Sequence, residues 1–221
     1  MTKEHELEKA LSYERFARYE GWAAGDRARA LELYTLNAKL SESLYITMQM
    51  LEVSLRNRIH TTMSVTHGED WFKNNTLIKL AHQQEQVAKA ISDVNGDGKE
   101  ATPGRVVAAL TFSFWTSMLS PDYETLWQTT LFRIARKPNG KGLRRKDLSG
   151  PLRPIRTLRN RIAHHEPIIA WNLPSHHSKA LEIILWLSPA AHEWCLAHCR
   201  FASVYPVERI ELAPSDEING Q

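Results

Sequence analysis

Leu44, Met48, Leu51, Leu55 and Ile59 recur at spacings of three and four residues. That is the period of one helix face, not the two-residue alternation of a half-buried strand. A segment patterned this way must bury one stripe against other helices. Asp26 stands where an N-cap belongs and Gly68 where the helix would end, so a single long helix is predicted between them. The rest of the chain reads in the same way. Ser12 is placed to cap a short helix through Phe16 and Tyr19. Further helices are predicted over residues 76–92, 105–119 (opened by Thr102-Pro103), 122–136 (opened by Ser120-Pro121 with Glu124 following), 152–164, 175–187 and 189–204. Pro154 falls in the first turn of the 152–164 helix, and Pro167 stops it. No sustained strand pattern, repeat or low-complexity segment interrupts this series, and the predicted fold class is all-α.

A chain of 221 residues is long enough for one large domain. The expected organisation is a single all-helical domain over 1–221, with N-terminal helices (about 1–70) packing on a bundle (71–205) and a loose tail (206–221). The N-terminus has no apolar run behind it, so no secretory signal is expected. The least charged stretch, Val106–Ser120, is too short to span a membrane and contains Thr111, Ser113, Thr116 and Ser117, so a buried helix is expected and a membrane partner is not. Cys195 and Cys199 are the only cysteines, which excludes a disulfide scaffold and fits a reducing cytoplasm.

The formal net charge of +3 hides an asymmetry. Between Arg133 and Arg161 there are eleven basic residues and one acid, Asp147; the segment is +10 and the remainder of the chain −7. A polyanion would dock on the first and be repelled by much of the second. The plainer reading is a solvated loop followed by a charged helix face.

Several motifs fail on inspection. Asp93, Asn95, Asp97 and Gly98 open like a calcium loop, but the ninth position is Ala101 and the twelfth, which needs a bidentate Glu, is Gly104. A polar turn is expected there. His192, Cys195 and Cys199 can share a helix face without an evident fourth ligand, and core packing is expected. His176-His177 is read as a helix start, and Trp71-Phe72 with Phe112, Phe114 and Trp115 as core. Glycine-rich phosphate loops, nucleophile elbows and His-Glu-x-x-His are absent, and neither a metal nor a cofactor is expected.

Leu158 to Pro167 is the informative stretch. At about 100° per residue, Ile155, Leu158 and Ile162 form one apolar stripe. Arg153, Arg156, Asn160 and His164 fall on roughly the opposite face, with Arg159 at the edge. His164 then points outward one turn beyond Asn160, while His165 is placed to pack beside the stripe and bond a neighbouring helix. An outward Arg-Asn-His surface suits a phosphodiester. RNA is cut without metal when its 2′-hydroxyl attacks the adjacent phosphorus. That reaction needs a proton acceptor and donor, for which histidine serves near neutral pH, and a cationic clamp on the phosphate oxygens, for which arginine serves. The plain alternative is a helix-ending histidine bonding a carbonyl. Arg159 and His164 diverge by about 140° on a regular helix, so either the last turn unwinds or a second subunit completes the site.

Arg159-Asn160-x-x-x-His164 resembles the Arg-x4-6-His signature of HEPN ribonucleases, also found in type VI CRISPR effectors and toxin nucleases. Further blocks resemble the Abi-like (abortive infection) family: Leu11 to Tyr19, Leu51 to Asn57, Pro103 to Trp115, and Leu158 to Pro167. The resemblance implies a helical bundle of the HEPN type with added N-terminal helices, dimerisation that pairs two motifs, and metal-independent RNA cleavage in phage defence or as a toxin. It implies Arg159 and His164 as the catalytic pair with Asn160 as helper. His165, Glu52 and Arg56 are expected as supporting residues, the last two having a surface ion pair as the equal alternative. Arg144, Arg145, Lys146, Arg153, Arg156 and Arg161 are expected to contact RNA. The partners implied are RNA, a second copy of the chain, and an antitoxin protein or small RNA. A non-catalytic RNA- or partner-binding module of the HEPN type is the alternative.

Overall fold

The computed structural model describes residues 10–11 and 13–214. It is all-helical, and no strand occurs among the described residues. The expected Ser12 cap and the last part of the tail lie outside the described residues. The chain forms two compact units. One draws on residues up to Ile46, Leu158–Ser175 and the chain from Cys199; the other comprises Thr47–Thr157 and His176–His198.

In the first unit, α1 (Tyr13–Trp22) buries Phe16, Tyr19 and Trp22 on one face. The chain then turns through Ala24 and Gly25, both at positive φ. Asp26 accepts the Arg29 N–H at 3.1 Å, the predicted cap of α2 (Arg27–His67). The first part of α2 buries Ala30, Leu33, Leu40 and Leu44, with the polar Asn37 on the same stripe. The tail is less loose than expected: the Ala213 N–H bonds the Trp22 carbonyl at 2.8 Å.

In the second unit, the α2 stripe continues through Met48, Leu51, Leu55 and Ile59, all buried as the periodicity predicts. Trp71, Phe72, Phe114 and Trp115 form the expected aromatic core, with Phe114 and Trp115 edge to face at 4.9 Å between centroids. The Trp71 indole donates to His60 Nδ1 at 3.1 Å, which requires that nitrogen unprotonated, and burial lowers the His60 pKa accordingly. Gln83 on α3 (Ala81–Gly96) is fully buried and satisfied: its amide donates to the Phe114 carbonyl at 3.0 Å and its oxygen accepts the Tyr123 hydroxyl at 2.7 Å. Burial raises the Tyr123 pKa.

Five elements differ from the sequence reading. Residues 76–80 are not helical, because Asn74 captures the Thr76 N–H in a local turn at 2.9 Å and α3 starts only at Ala81. The helix expected over 105–119 is two, α4 (Pro103–Ala109) and α5 (Phe112–Ser117). Leu110 turns extended (ψ 139°), and the Thr111 hydroxyl caps the Phe114 N–H. The helix expected over 122–136 shrinks to α6 (Glu124–Thr129), flanked by single 3-10 turns. Conversely, α7 spans Arg145–Ala163 and carries Pro151 and Pro154 inside it, so Pro154 is not in the first turn. Helix α8 (Leu173–Leu187) follows, and the helix expected over 189–204 is two, α9 (Pro189–His198) and α10 (Phe201–Val204), with a break at Cys199 and Arg200.

Arg145 explains the early start of α7. It is buried, and its guanidinium donates to the Leu119 carbonyl and to Glu124 Oε2, both at 2.6 Å. It is therefore an anchor within its unit rather than an RNA contact, which corrects the sequence reading. The hydrogen bond from Arg145 holds the Glu124 carboxyl below its ordinary pKa, so its stabilisation is fully present above the usual carboxylate range and is lost as pH falls on through the lowered value. Replacing Arg145 with Ala leaves a buried carbonyl unpaired and is expected to cost about 1–3 kcal/mol in urea denaturation. Arg144→Ala, on the exposed neighbour, should stay within about 0.5 kcal/mol.

Candidate catalytic helix end

The end of α7 is built by its apolar stripe. Ile155 and Leu158 are buried at 1% and 0% exposure, which fixes the rotation of the helix. Asn160 and His164 are then exposed and Arg159 half-buried, as the helical projection predicts. The His164 N–H still bonds the Asn160 carbonyl at 2.9 Å, so the helix stays regular and both side chains leave on the same flank, one turn apart. The same regularity keeps Arg159 and His164 about 140° apart.

Beyond His164 the helix stops in a double hydrogen bond. The Glu166 N–H donates to the Arg161 carbonyl at 2.8 Å and the His165 N–H to the Ile162 carbonyl at 3.1 Å. This Schellman closure requires left-handed backbone at His165, whose φ is +57°. Glycine is the usual occupant; an ordinary L-residue there costs roughly 1–2 kcal/mol. The expectation that His165 packs beside the stripe is overturned, because the left-handed turn takes it off the helical path, and it is exposed.

Arg161 is also reassigned. Its Nε donates to the Pro167 carbonyl at 3.1 Å, its guanidinium lies 3.4 Å from the Glu166 carboxylate, and it covers the Trp171 ring at 5.6 Å. It braces the chain that follows the motif instead of offering itself to RNA. A further tie in this loop has no signal in local sequence spacing: Asn37 Oδ1, buried on α2, accepts the Ile168 N–H at 2.7 Å. The one sign of it in the sequence is an asparagine interrupting the Leu33–Leu40–Leu44 stripe.

A cavity of about 880 Å³ opens within this unit. It is lined by one face of α2, by α1, and by Ile162, Ala163, His165 and Glu166 from the end of α7. Tyr19 and Tyr34 meet in its wall, edge to face at 5.3 Å, and burial, with Tyr34 adding, raises the Tyr19 pKa against the opposing charges of Arg18 and Arg161. The structure thus separates the adjacent histidines: His165 faces the cavity, whereas His164 stands on the Asn160 flank.

The remaining site residues lie in the second unit. Glu52 and Arg56 are half-buried on α2, and Arg56 Nε donates to Asn57 at 3.3 Å. Arg144, Lys146 and Arg153 are exposed, Arg144 pairing with Asp147 at 3.0 Å. Arg156 is half-buried and bonds the Thr116 hydroxyl at 3.1 Å.

Because His165 is held left-handed against its preference, His165→Gly should raise stability by about 0.5–1 kcal/mol, after allowing for the entropy glycine loses on folding. Thermal denaturation reads this directly; a lower melting temperature would mean that the imidazole contributes packing beyond its exposed position.

Among the described residues, no helix is long and apolar enough to cross a membrane. No curated protein and no solved structure gives a significant match to the chain. The Abi-like protein family matches over residues 15–172, from α1 through the motif to the loop braced by Arg161. The chain belongs to the Abi-like protein family.

Proposed function

We propose that this protein is a cytoplasmic, metal-independent endoribonuclease of the HEPN type acting in phage defence or as a toxin. The observation that carries this reading is the exposed Asn160–His164 flank at the end of the helix that also bears Arg159. In the proposed reaction the substrate's 2′-oxygen bonds to phosphorus, and the bond from phosphorus to the 5′-oxygen breaks. The 2′ proton is taken up and the leaving 5′-oxygen is protonated, leaving a 2′,3′-cyclic phosphate and a free 5′-hydroxyl. His164 serves the proton transfers, Asn160 orients it or the ribose, and Arg159 carries charge on the phosphorane. The divergence of Arg159 and His164 favours a homodimer in which one chain's Arg159 meets the other's His164 at a shared phosphate. An antitoxin protein or small RNA would be the restraining partner.

Purified with EDTA present, the protein is expected to cut RNA and leave 2′,3′-cyclic phosphate ends. His164→Ala and Arg159→Ala should each lose at least about 100-fold in rate, and the exposed His164→Ala should leave the melting temperature nearly unchanged. Mixing the two inactive variants should restore part of the activity through mixed dimers. Full activity in His164→Ala would sink the assignment.

Arg144, Lys146 and Arg153 are the exposed cations proposed to hold the RNA backbone. Converting all three to Ala should weaken binding to every RNA sequence and flatten the log–log salt slope by roughly 2. An unchanged slope in fluorescence anisotropy would exclude this surface from binding.

A further inference from the structure

The cavity of about 880 Å³ is within the range of small-molecule sites and far larger than an interior packing defect. Its walls have a specific chemistry. Tyr34 and Tyr45, eleven residues apart on α2, fall within about 20° of each other around the helix, and offer two aromatic rings along one side. At the mouth, Glu42 and Arg200 form an ion pair at 2.5 Å, each side chain 67% exposed. A carboxylate has about four acceptor positions and a guanidinium five N–H donors, so this pairing leaves both groups able to bond a ligand. Arg15 from α1 and His165 from the end of α7 supply further nitrogen donors at the rim.

Aromatic rings beside a paired acceptor and donor suit an unstacked base of single-stranded RNA, which is held by stacking and read along its edge. Guanine fits this pair best. Its N1–H and N2 amino group donate to a carboxylate, while O6 and N7 accept from a guanidinium. Adenine offers neither two adjacent donors for Glu42 nor a carbonyl for Arg200. His165 faces the cavity and His164, its neighbour in sequence, stands at the motif, so a nucleotide held here would place its phosphate near the helix end.

We propose that this cavity binds one unstacked guanine of the RNA, making it the base-selective subsite of the nuclease. The inference rests on the endonuclease reading, and the test separates the two. Binding is measured with the full-length His164→Ala protein, whose altered residue does not line the cavity, using an oligouridine with one central guanosine and the same oligomer with adenosine instead. The guanosine oligomer is expected to bind roughly tenfold tighter. Glu42→Gln in the same background should bring the two within about twofold. Tyr45→Ala, at a residue 61% exposed, should weaken both by roughly tenfold through lost stacking. Equal affinity for the two oligomers, or a preference that survives Glu42→Gln, overturns the subsite. Wild-type protein that cuts both oligomers equally, with no preference in binding, retains the nuclease and removes the subsite. A guanine preference that Glu42→Gln abolishes, in a protein that cuts neither, retains the pocket as a base-binding site and removes the nuclease.

Discussion

A single buried hydrogen bond, from the Ile168 N–H to Asn37 Oδ1 at 2.7 Å, holds the chain after the motif against α2. The Ile168 amide is buried where water cannot replace its partner, so losing the bond would leave a polar group unsatisfied. The surrounding geometry follows from it. Once Ile168 is fixed, the chain must leave α7 within a few residues, and the left-handed step at His165 supplies the reversal. Arg161 then holds the Pro167 carbonyl from the helix side. Asn37 and Arg161 thus set the direction in which the two histidines part.

The basic residues divide by burial rather than by sequence. In a count of charges, Arg145, Arg156 and Arg161 are equivalent to Arg144, Lys146 and Arg153. In the structure, the first three are buried or half-buried and spend donors on protein oxygens, and the second three are exposed, Arg144 sharing its guanidinium with Asp147. Positive charge concentrated on one stretch therefore has two origins: cations exposed to solvent, and arginines whose long side chains and several N–H groups satisfy carbonyl and hydroxyl oxygens within the fold. The electrostatic signature of the chain is real but thinner than eleven to one.

What was legible in the sequence is what depends on periodicity and local spacing. The Leu44–Ile59 stripe, the Asp26 cap, the aromatic core and the outward flank of Asn160 and His164 all follow from a regular helix with one apolar side. What was not legible depends on partners distant in sequence or on a local competition too close to judge. The break at Leu110–Thr111 comes from a threonine hydroxyl outbidding helix continuation, in a segment whose apolar content reads as unbroken. The start of α7 at Arg145 comes from Leu119 and Glu124, which sequence spacing does not bring near it. His165 was misplaced for a related reason: projecting it on a helix presumes the helix continues, and its left-handed backbone is set by a loop tied elsewhere. Likewise the Glu42–Arg200 pair, from α2 and the chain just before α10, has no signature in local spacing.

The two prolines inside α7 carry a consequence for how the motif persists. Pro151 and Pro154 cannot donate to the carbonyls of Asp147 and Gly150, and each costs about 3 kcal/mol in an isolated helix. Gly150 weakens the same turns further. Taken alone, this segment would be coil in water, and its helical form is sustained by burial of Leu148, Leu152, Ile155 and Leu158. The helix is therefore borrowed from the hydrophobic core rather than owned by its sequence. Amide exchange in the proline turns would report core integrity, and truncating Leu158 to Ala would loosen this helix, at a cost of about 2–5 kcal/mol, without touching any of its polar groups. A freshly synthesised chain therefore has no ordered helix end here until its core has closed.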